Sequence, residues 1–210
     1  MASVNRREIA KAAKRRRISE AARSIFKHVG FNRATTQEIA RQAGVAAGTL
    51  FLYARDKREL LLMAFNDQLE NITETSIGAI NSEGPLVEQL TEFYRRRFEF
   101  WGSDVPLARL ATADVYASRA PGEAGAELAR VQQRQERLVA ILTTTISAYA
   151  RRCGISLRQP PETIANAIHF LYIGELRMWL SLTEPQVEDA LSDLRRLYGI
   201  LIFGIDEPAI

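Results

Sequence analysis

One cysteine, Cys153, stands alone in the 210 residues. An intramolecular disulfide is therefore excluded and a reducing compartment suits the chain; a thiol contact between two copies is the one redox role left to Cys153. The two histidines, His28 and His169, are too far apart in sequence to form a metal-binding helix pair. Cys-x-x-Cys pairs, Gly-rich phosphate loops and Gly-x-Ser-x-Gly elbows are also missing. The sequence thus offers neither a metal centre nor a catalytic site, and it implies no cofactor. Long apolar runs are absent too: an uncharged stretch such as Leu138 to Ala150 stops at 13 residues, short of the roughly 18 that a membrane span requires. The amino terminus is charged from Arg6 onward and carries no apolar signal region, which points to a soluble, cytoplasmic protein.

No run of alternating β-branched residues stands out, which argues against a sheet. What is present is helical periodicity almost from end to end, in a chain that is 47% hydrophobic and 25% charged and so able to bury a sizeable core. The expected class is all-α, with about nine helices. Breaks at Gly84-Pro85, Gly102 to Pro106, Arg119 to Gly125, Gly154 to Pro161 and Glu184-Pro185 divide the later part into helices over residues 58–81, 85–101, 106–116, 126–153, 161–182 and 185–203. The organisation this predicts is a small helical head, residues 1–57, and a helical bundle, residues 58–210.

The most informative segment runs from Thr35 to Leu60. Thr35 followed by Glu38 has the form of a capping box, in which each side chain satisfies a free backbone N–H at a helix start. Ile39 and Ala43 lie on the inner face of that helix, and Gly44 supplies the positive φ of a turn. A second short helix follows, with Val45 and Leu50 turned inward and Ala46, Ala47, Gly48, Thr49, Phe51 and Leu52 outward. That outer face carries no charge, and its small residues beside bulky Phe51 and Tyr53 suit the walls of a DNA major groove. A plain surface hairpin of helices is the competing account. Against it, Gly30-Phe31 closes a preceding helix over residues 14–29 with the stripe Ile18, Ala21, Ala22, Ile25 and Phe26, and Asp56-Lys57 opens another. Three helices of this kind make a complete DNA-binding unit.

Gly30-Phe31, Thr35-Thr36, Ile39-Ala40, Gly44-Val45, Gly48-Thr49-Leu50-Phe51, Tyr53, Asp56-Lys57 and Glu59-Leu60 together resemble the amino-terminal domain of the tetracycline-repressor (TetR) family of bacterial regulators. The resemblance implies that Thr36 binds phosphate and that Phe51, Tyr53 and Lys57 touch the DNA backbone. It also implies that Ala46, Ala47 and Thr49 face base edges or nearby backbone, with Thr35 and Gly48 in the same surface. Where the family usually has Ser or Thr, this chain has Ala46, and the lost side-chain cap costs about 0.5–2 kcal/mol in ordinary helices. An aromatic residue common in the family is replaced by Ala54.

Charge is divided unevenly along the chain. Residues 1–60 hold 14 Lys and Arg against 5 Asp and Glu, a net of +9, whereas the remaining 150 hold 14 against 20, a net of −6. A basic end beside an acidic body is what phosphate binding at one end requires, and such binding weakens steeply with salt. The run Arg6, Arg7, Lys11, Lys14, Arg15, Arg16 and Arg17 is either a solvated tail or an arm or extended first helix that follows the DNA backbone. Arg6, Arg7 and Arg15 are its candidate contacts.

Val187, Leu191, Leu194, Tyr198, Leu201 and Ile205 advance in alternating steps of four and three, an apolar seam that asks for a partner helix. The helix before it is apolar over most of its circumference and includes Ile168 and Gly174, where a glycine costs about 1 kcal/mol unless something approaches closely. These residues are expected to meet their symmetry mates in a homodimer, as the resemblance also implies; packing inside one chain is the alternative. Two heads would then reach successive major grooves of double-stranded DNA, roughly 34–36 Å apart or a multiple of that, on a pseudo-palindromic operator.

Tyr94, Phe98 and Trp101 lie at i, i+4 and i+7 on the helix that family members place beside a ligand cavity. Tyr116, His169, Tyr172, Met178 and Trp179 are candidate walls, and Asn166 and Glu175 candidate polar groups, for a mostly apolar small-molecule effector; plain core is the other reading of such a stripe. Arg95, Arg96 and Arg97 form a mainly solvated patch or, alternatively, an anion site. The function expected is a dimeric, ligand-responsive transcriptional repressor. A DNA-binding architectural protein without an effector is the alternative.

Overall fold

The computed structural model describes residues 2–78, 80, 82–115 and 126–203. Among them the chain forms nine helices and no strand: α1 Ala2–Arg33, α2 Thr36–Gln42, α3 Ala47–Leu50, α4 Lys57–Gly78, α5 Leu86–Gly102, α6 Val105–Val115, α7 Ala126–Cys153, α8 Pro161–Ser181 and α9 Val187–Phe203. The all-α expectation holds, and the later helices begin and end close to the expected positions because prolines and glycines stop helices by simple sterics. Tyr116 and Ile205 lie outside the described residues. No described helix is long and apolar enough to cross a membrane.

The first helix is longer than the sequence suggested. Helical structure starts at Ala2, so the basic run forms an extended first helix, and α1 bends at Gly30, whose φ of 78° is open to glycine and strained for other residues. Arg6 and Arg7 are exposed on it.

The chain divides into two compact units, Met1–Leu69 with Pro106–Val131, and Glu70–Val105 with Gln132–Ile210. Helices α4 and α7 contribute residues to both. The first unit therefore holds more than residues 1–57: it adds the first half of α4, most of α6 and the start of α7. Its apolar core contains Ile18, Ala22, Phe26, Ile39, Leu50, Leu60 and Met63, all buried.

Beside that core lies an ion network that no local pattern announces. Arg15 donates to Asp67 and, at 2.7 Å, to Glu127, while Arg130 donates to Asp67 at 2.9 Å and to Glu127 at 3.0 Å. Asn66 Nδ2 donates to the Glu127 carbonyl at 2.8 Å and to its carboxylate at 3.0 Å. Glu127 is 3% exposed, and a carboxylate so deeply buried is costly without partners of this kind. Burial alone would raise the pKa of Asp67, but hydrogen bonds from Arg15, Arg130 and Ser19, with the Arg15 charge, bring it below the ordinary value. One expected DNA contact is corrected here. Arg15 is half-buried, and its guanidinium is committed to carboxylates inside the first unit.

In the second unit α9 packs against α5 and α8. Ile168, Leu191, Leu194 and Tyr198 are buried there, and the Tyr198 hydroxyl donates to the Ile168 carbonyl at 3.4 Å. These four are a second correction: they belong to the interior of one chain, so the seam located an apolar face whose partner lies in the same chain. Val187 is half-buried beside Gly102, while Gly174 and Leu201 remain on the surface. The large apolar side chains left exposed in this region are Phe170, Met178, Leu182, Ile200 and Leu201, five of the ten so exposed among the described residues. Four of these five lie on α8 and α9, and Leu182 follows α8 directly.

Candidate functional site

The capping box forms as expected. Thr35 Oγ1 accepts from the Glu38 N–H at 3.2 Å, the Thr35 N–H donates to the Glu38 carboxylate at 3.1 Å, and the Thr35 hydroxyl donates to the same carboxylate at 2.8 Å. Those hydrogen bonds, the side-chain one first, hold the Glu38 pKa below the usual value. The Thr35 hydroxyl is therefore used in starting α2, leaving half-buried Thr36 as the adjacent hydroxyl. Gly44 takes φ 64°, and the Val45 N–H returns to the Ala40 carbonyl at 3.0 Å, so the turn between α2 and α3 closes on backbone bonds.

Helix α3 is one turn long. Ala46 precedes it in extended conformation with no side-chain cap, and its carbonyl accepts from the N–H groups of Thr49 at 2.9 Å and Leu50 at 3.2 Å. Leu50 is fully buried and Ala54 nearly so, which means the small side chain at position 54 is accommodated inside the head. The opposite side presents Ala46, Ala47, Gly48, Phe51 and Leu52 to solvent, with Thr49 and Tyr53 half-buried at its edge. Phe51 is 49% exposed and Leu52 83%, an unusual amount of apolar surface for so short an element.

Lys57 has a task beyond the expected phosphate contact. Its ammonium donates to the carbonyls of Asn32 at 3.1 Å and Ala34 at 3.0 Å and lies 4.7 Å from the centre of the Phe31 ring. It thereby closes the end of α1 onto the start of α4, and one of its three N–H donors remains for an anion. Asp56 caps α4 by accepting from the Glu59 N–H at 2.8 Å.

The aromatic residues expected to line a cavity instead pack on one another. The Tyr94 and Tyr172 rings stack at 4.1 Å, Phe98 meets Tyr172 edge-on at 5.6 Å and Trp179 at 5.2 Å, and Trp101 Nε1 donates to the Tyr172 hydroxyl at 3.1 Å. Trp179 Nε1 donates to the Gln186 carbonyl at 2.8 Å. Met178 is 69% exposed and so is not a wall of this interior. Glu175 is buried, and burial first, then the charge of Asp193 on α9, raises its pKa; it is not among the residues that line the groove between α7 and α8. That groove, of about 900 Å³, lies between α7 and α8 and is lined by Gln135, Val139, Thr143, Asn166, His169 and Phe170 among others.

Of the expected pocket residues, Asn166 and His169 reach the groove. The Tyr94 hydroxyl and His169 Nδ1 are 3.1 Å apart, and His169 Nε2 has no partner. Arg97, grouped by sequence with a solvated patch, is only 2% exposed, whereas Arg95 pairs with Glu92 and Glu188 at the surface and Arg96 is exposed. Three successive helical residues point in directions about 100° apart, so one of a run of three turns inward.

Burial first, then the charges of Arg97 and Arg134, lower the His169 pKa from 6.5 to about 4. The unfolded chain takes up a proton near pH 6.5 that the folded chain refuses until about pH 4. Stability is therefore unaffected above the higher value and falls between the two, by on the order of 3 kcal/mol at the acid end. Urea melts across this range should show that loss, and His169→Gln should flatten the profile; an equally steep profile in the variant would assign the loss elsewhere.

Residues 18–64 match the family described as bacterial regulatory proteins, tetR family. The fatty acid metabolism regulator protein of Bacillus subtilis is 29% identical over 108 residues, which cover 51% of this chain and 56% of that protein. An HTH-type transcriptional repressor of Mycobacterium tuberculosis is 28% identical over 120 residues, covering 56% and 62%. The match thus spans little more than half the length of these curated relatives. Over nearly the whole chain the fold resembles Thermus thermophilus FadR, a TetR-family transcriptional repressor solved with lauroyl-CoA, with a TM-score of 0.69 at 22% identity, covering 93% of this chain and 97% of that one. Bacillus subtilis FadR, solved with stearoyl-CoA, gives a TM-score of 0.65 at 20% identity, covering 90% and 98%. The matched segment contains the capping box, the Gly44 turn, the exposed side of α3 and the Lys57 clasp, so residues 18–64 carry the domain that defines the TetR family of bacterial regulatory proteins.

Proposed function

We propose that the chain is a homodimeric transcriptional repressor that binds a pseudo-palindromic operator and releases it when a small, mostly apolar ligand of the acyl class occupies the second unit. The observation that carries this reading is the uncharged, solvent-facing side of α3, set in a segment of net charge +9. Residues Thr36, Ala46, Ala47, Gly48, Thr49, Phe51, Tyr53 and Lys57 would meet DNA, with Arg6 and Arg7 following the backbone. The acyl class is suggested by the lauroyl-CoA and stearoyl-CoA held by the two FadR proteins. In functional terms residues 1–57 would read DNA and residues 58–210 would bind ligand and dimerise, through the exposed apolar side of α8 and α9. Release would follow from differential affinity: a ligand that binds better when the heads are out of register shifts the population away from the DNA-competent spacing. Helix α4 is suited to carry that shift because it contributes to both units.

A genome-wide footprint tests the reading, and few strong sites are expected; occupancy of many unrelated sites would favour an architectural protein. Phe51→Ala should weaken operator binding and leave the dimer intact. Lys57→Ala should weaken binding to every DNA sequence and lower the salt slope by roughly one unit. Because the same ammonium clasps two carbonyls, that variant should also melt earlier. An unchanged salt slope would leave Lys57 with the clasp alone.

A further inference from the structure

Among the described residues, three buried side-chain polar atoms have no hydrogen-bond partner: Ser76 Oγ, Arg97 Nε and His169 Nε2. All three belong to the second unit. Native interiors leave few such atoms, and each calls for an explanation, such as a bound molecule, ion or water that completes the bonding. Arg97 makes the strongest demand. Its guanidinium is 2% exposed, donates to Thr73 Oγ1 at 2.5 Å and lies against the Tyr172 hydroxyl, yet no carboxylate pairs with it among the described residues. Two hydroxyls cannot neutralise a buried cation, and a lone buried charge is among the most costly features a fold can retain.

The surroundings are also chosen for an anion. Ser76 stands one turn along α4 from Thr73, and both hydroxyls are buried. Arg134 is close enough, with Arg97, to depress the His169 pKa. The imidazole is therefore neutral near pH 7. In the tautomer in which the Tyr94 hydroxyl donates to Nδ1, the ring proton sits on Nε2, where it has no acceptor. His169 also lines the groove between α7 and α8, so the cluster and the groove share that side chain.

We propose that the ligand of the second unit carries a carboxylate, buried against Arg97 and accepting further hydrogen bonds from Ser76 and His169, with an apolar body that lies toward the groove. This rests on the ligand-responsive reading above and narrows it to an amphipathic acid. An ester or thioester of the same chain offers a neutral carbonyl and leaves the guanidinium unpaired. The phosphates of an acyl-CoA are the other source of oxyanion, but they are carried on a bulky head group and demand far more room than a 2% exposed guanidinium provides.

The test uses the full chain and four probes: dodecanoate, methyl dodecanoate, lauroyl-CoA and coenzyme A. Binding is followed by the fluorescence of Trp101 and Trp179, and operator release is followed in parallel. Dodecanoate should bind roughly 10- to 100-fold more tightly than its methyl ester, the factor expected of a buried charge-assisted pair. Arg97→Met should abolish that preference, and it should raise the melting temperature of the ligand-free protein, which a purely structural arginine would not do. Arg97→Lys should keep part of the preference. Equal binding of acid and ester by the unaltered protein, a comparison that needs no variant to fold, would overturn the proposal. So would a preference that survives in Arg97→Met, or a dependence on coenzyme A alone. Lauroyl-CoA releasing the operator while dodecanoate does nothing would sink the carboxylate and leave the acyl-responsive repressor standing. Dodecanoate binding through Arg97 with no effect on operator affinity would do the reverse.

Discussion

Replacing Met178 and Ile200 together by glutamate is expected to leave a folded monomer whose operator affinity is lower by a factor of roughly 100 or more. The two side chains are 69% and 54% exposed, so a carboxylate at either position stays hydrated in the monomer and costs the fold little. In a two-fold interface each change occurs twice, and four carboxylates would have to lose water without partners. Binding to a single half-site then remains, without the gain from a second head held at the right spacing. Sedimentation reads the first effect and an operator titration the second. A dimer that persists at micromolar concentration would remove this surface of α8 and α9 from the interface. Leu194→Glu supplies the contrast. Leu194 is fully buried where α9 meets the rest of the second unit, so its carboxylate has no route to water. Loss of cooperative unfolding is expected there, with a cost above about 4 kcal/mol, and simple dissociation of a well-folded dimer would contradict that placement.

Glu127→Leu is expected to destabilise the first unit by about 3 kcal/mol, the lower end of the range for removing one partner of a buried ion pair. The lower end applies because the side chains of Arg15 and Arg130 are 26% and 25% exposed, and water can take over part of their solvation. Replacing Arg15, Glu127 and Arg130 together by apolar residues of similar volume should recover most of the loss, since packing then substitutes for the ions. Denaturant titrations of the three forms check this, and a Glu127→Leu protein as stable as the parent would mean the network contributes nothing. The pH dependence has its own signature. Asp67 has a lowered pKa when folded, so its contribution is complete above the ordinary value of 3.8 and is lost as the pH falls through the lower folded value. Acid therefore acts on the second unit first, through His169, and on this network only in stronger acid.

How much of this was legible in the sequence depends on whether the cause is local. Thr35 and Glu38 are three residues apart, Gly44 closes a turn with its neighbours, and Pro161 sits at the first position of α8; such features announce themselves because their physics is confined to one turn. Residues 187–201 show the limit. Periodicity states that a face is apolar but not which surface covers it, and α5 and α8 of the same chain reach α9 before any second copy can. The aromatic stripe of α5 failed in the same way, since a spacing fit for a cavity wall fits a filled core equally well. Arg97 was hidden by its neighbours, because a run of three arginines reads as solvated until the helix phase is known. The pairing of Arg15 with Glu127 spans 112 positions and leaves no trace in either local segment.

The first half of α1 is helical without much to hold it. Ile9 is 63% exposed, no acidic residue stands in the first turn, and Arg7 and Lys11 repeat like charge at an interval of four. Such spacing disfavours a helix in isolation, and cations near its amino terminus oppose the helix dipole. A polyanion alongside would remove both penalties at once. Each phosphate that neutralises this stretch then acts on two equilibria, ion pairing and the helix–coil balance, so contact with any DNA stiffens the segment before a base is read. Amide hydrogen exchange over residues 2–14 would accordingly slow even on non-specific DNA, while exchange around α3 would slow only on the operator.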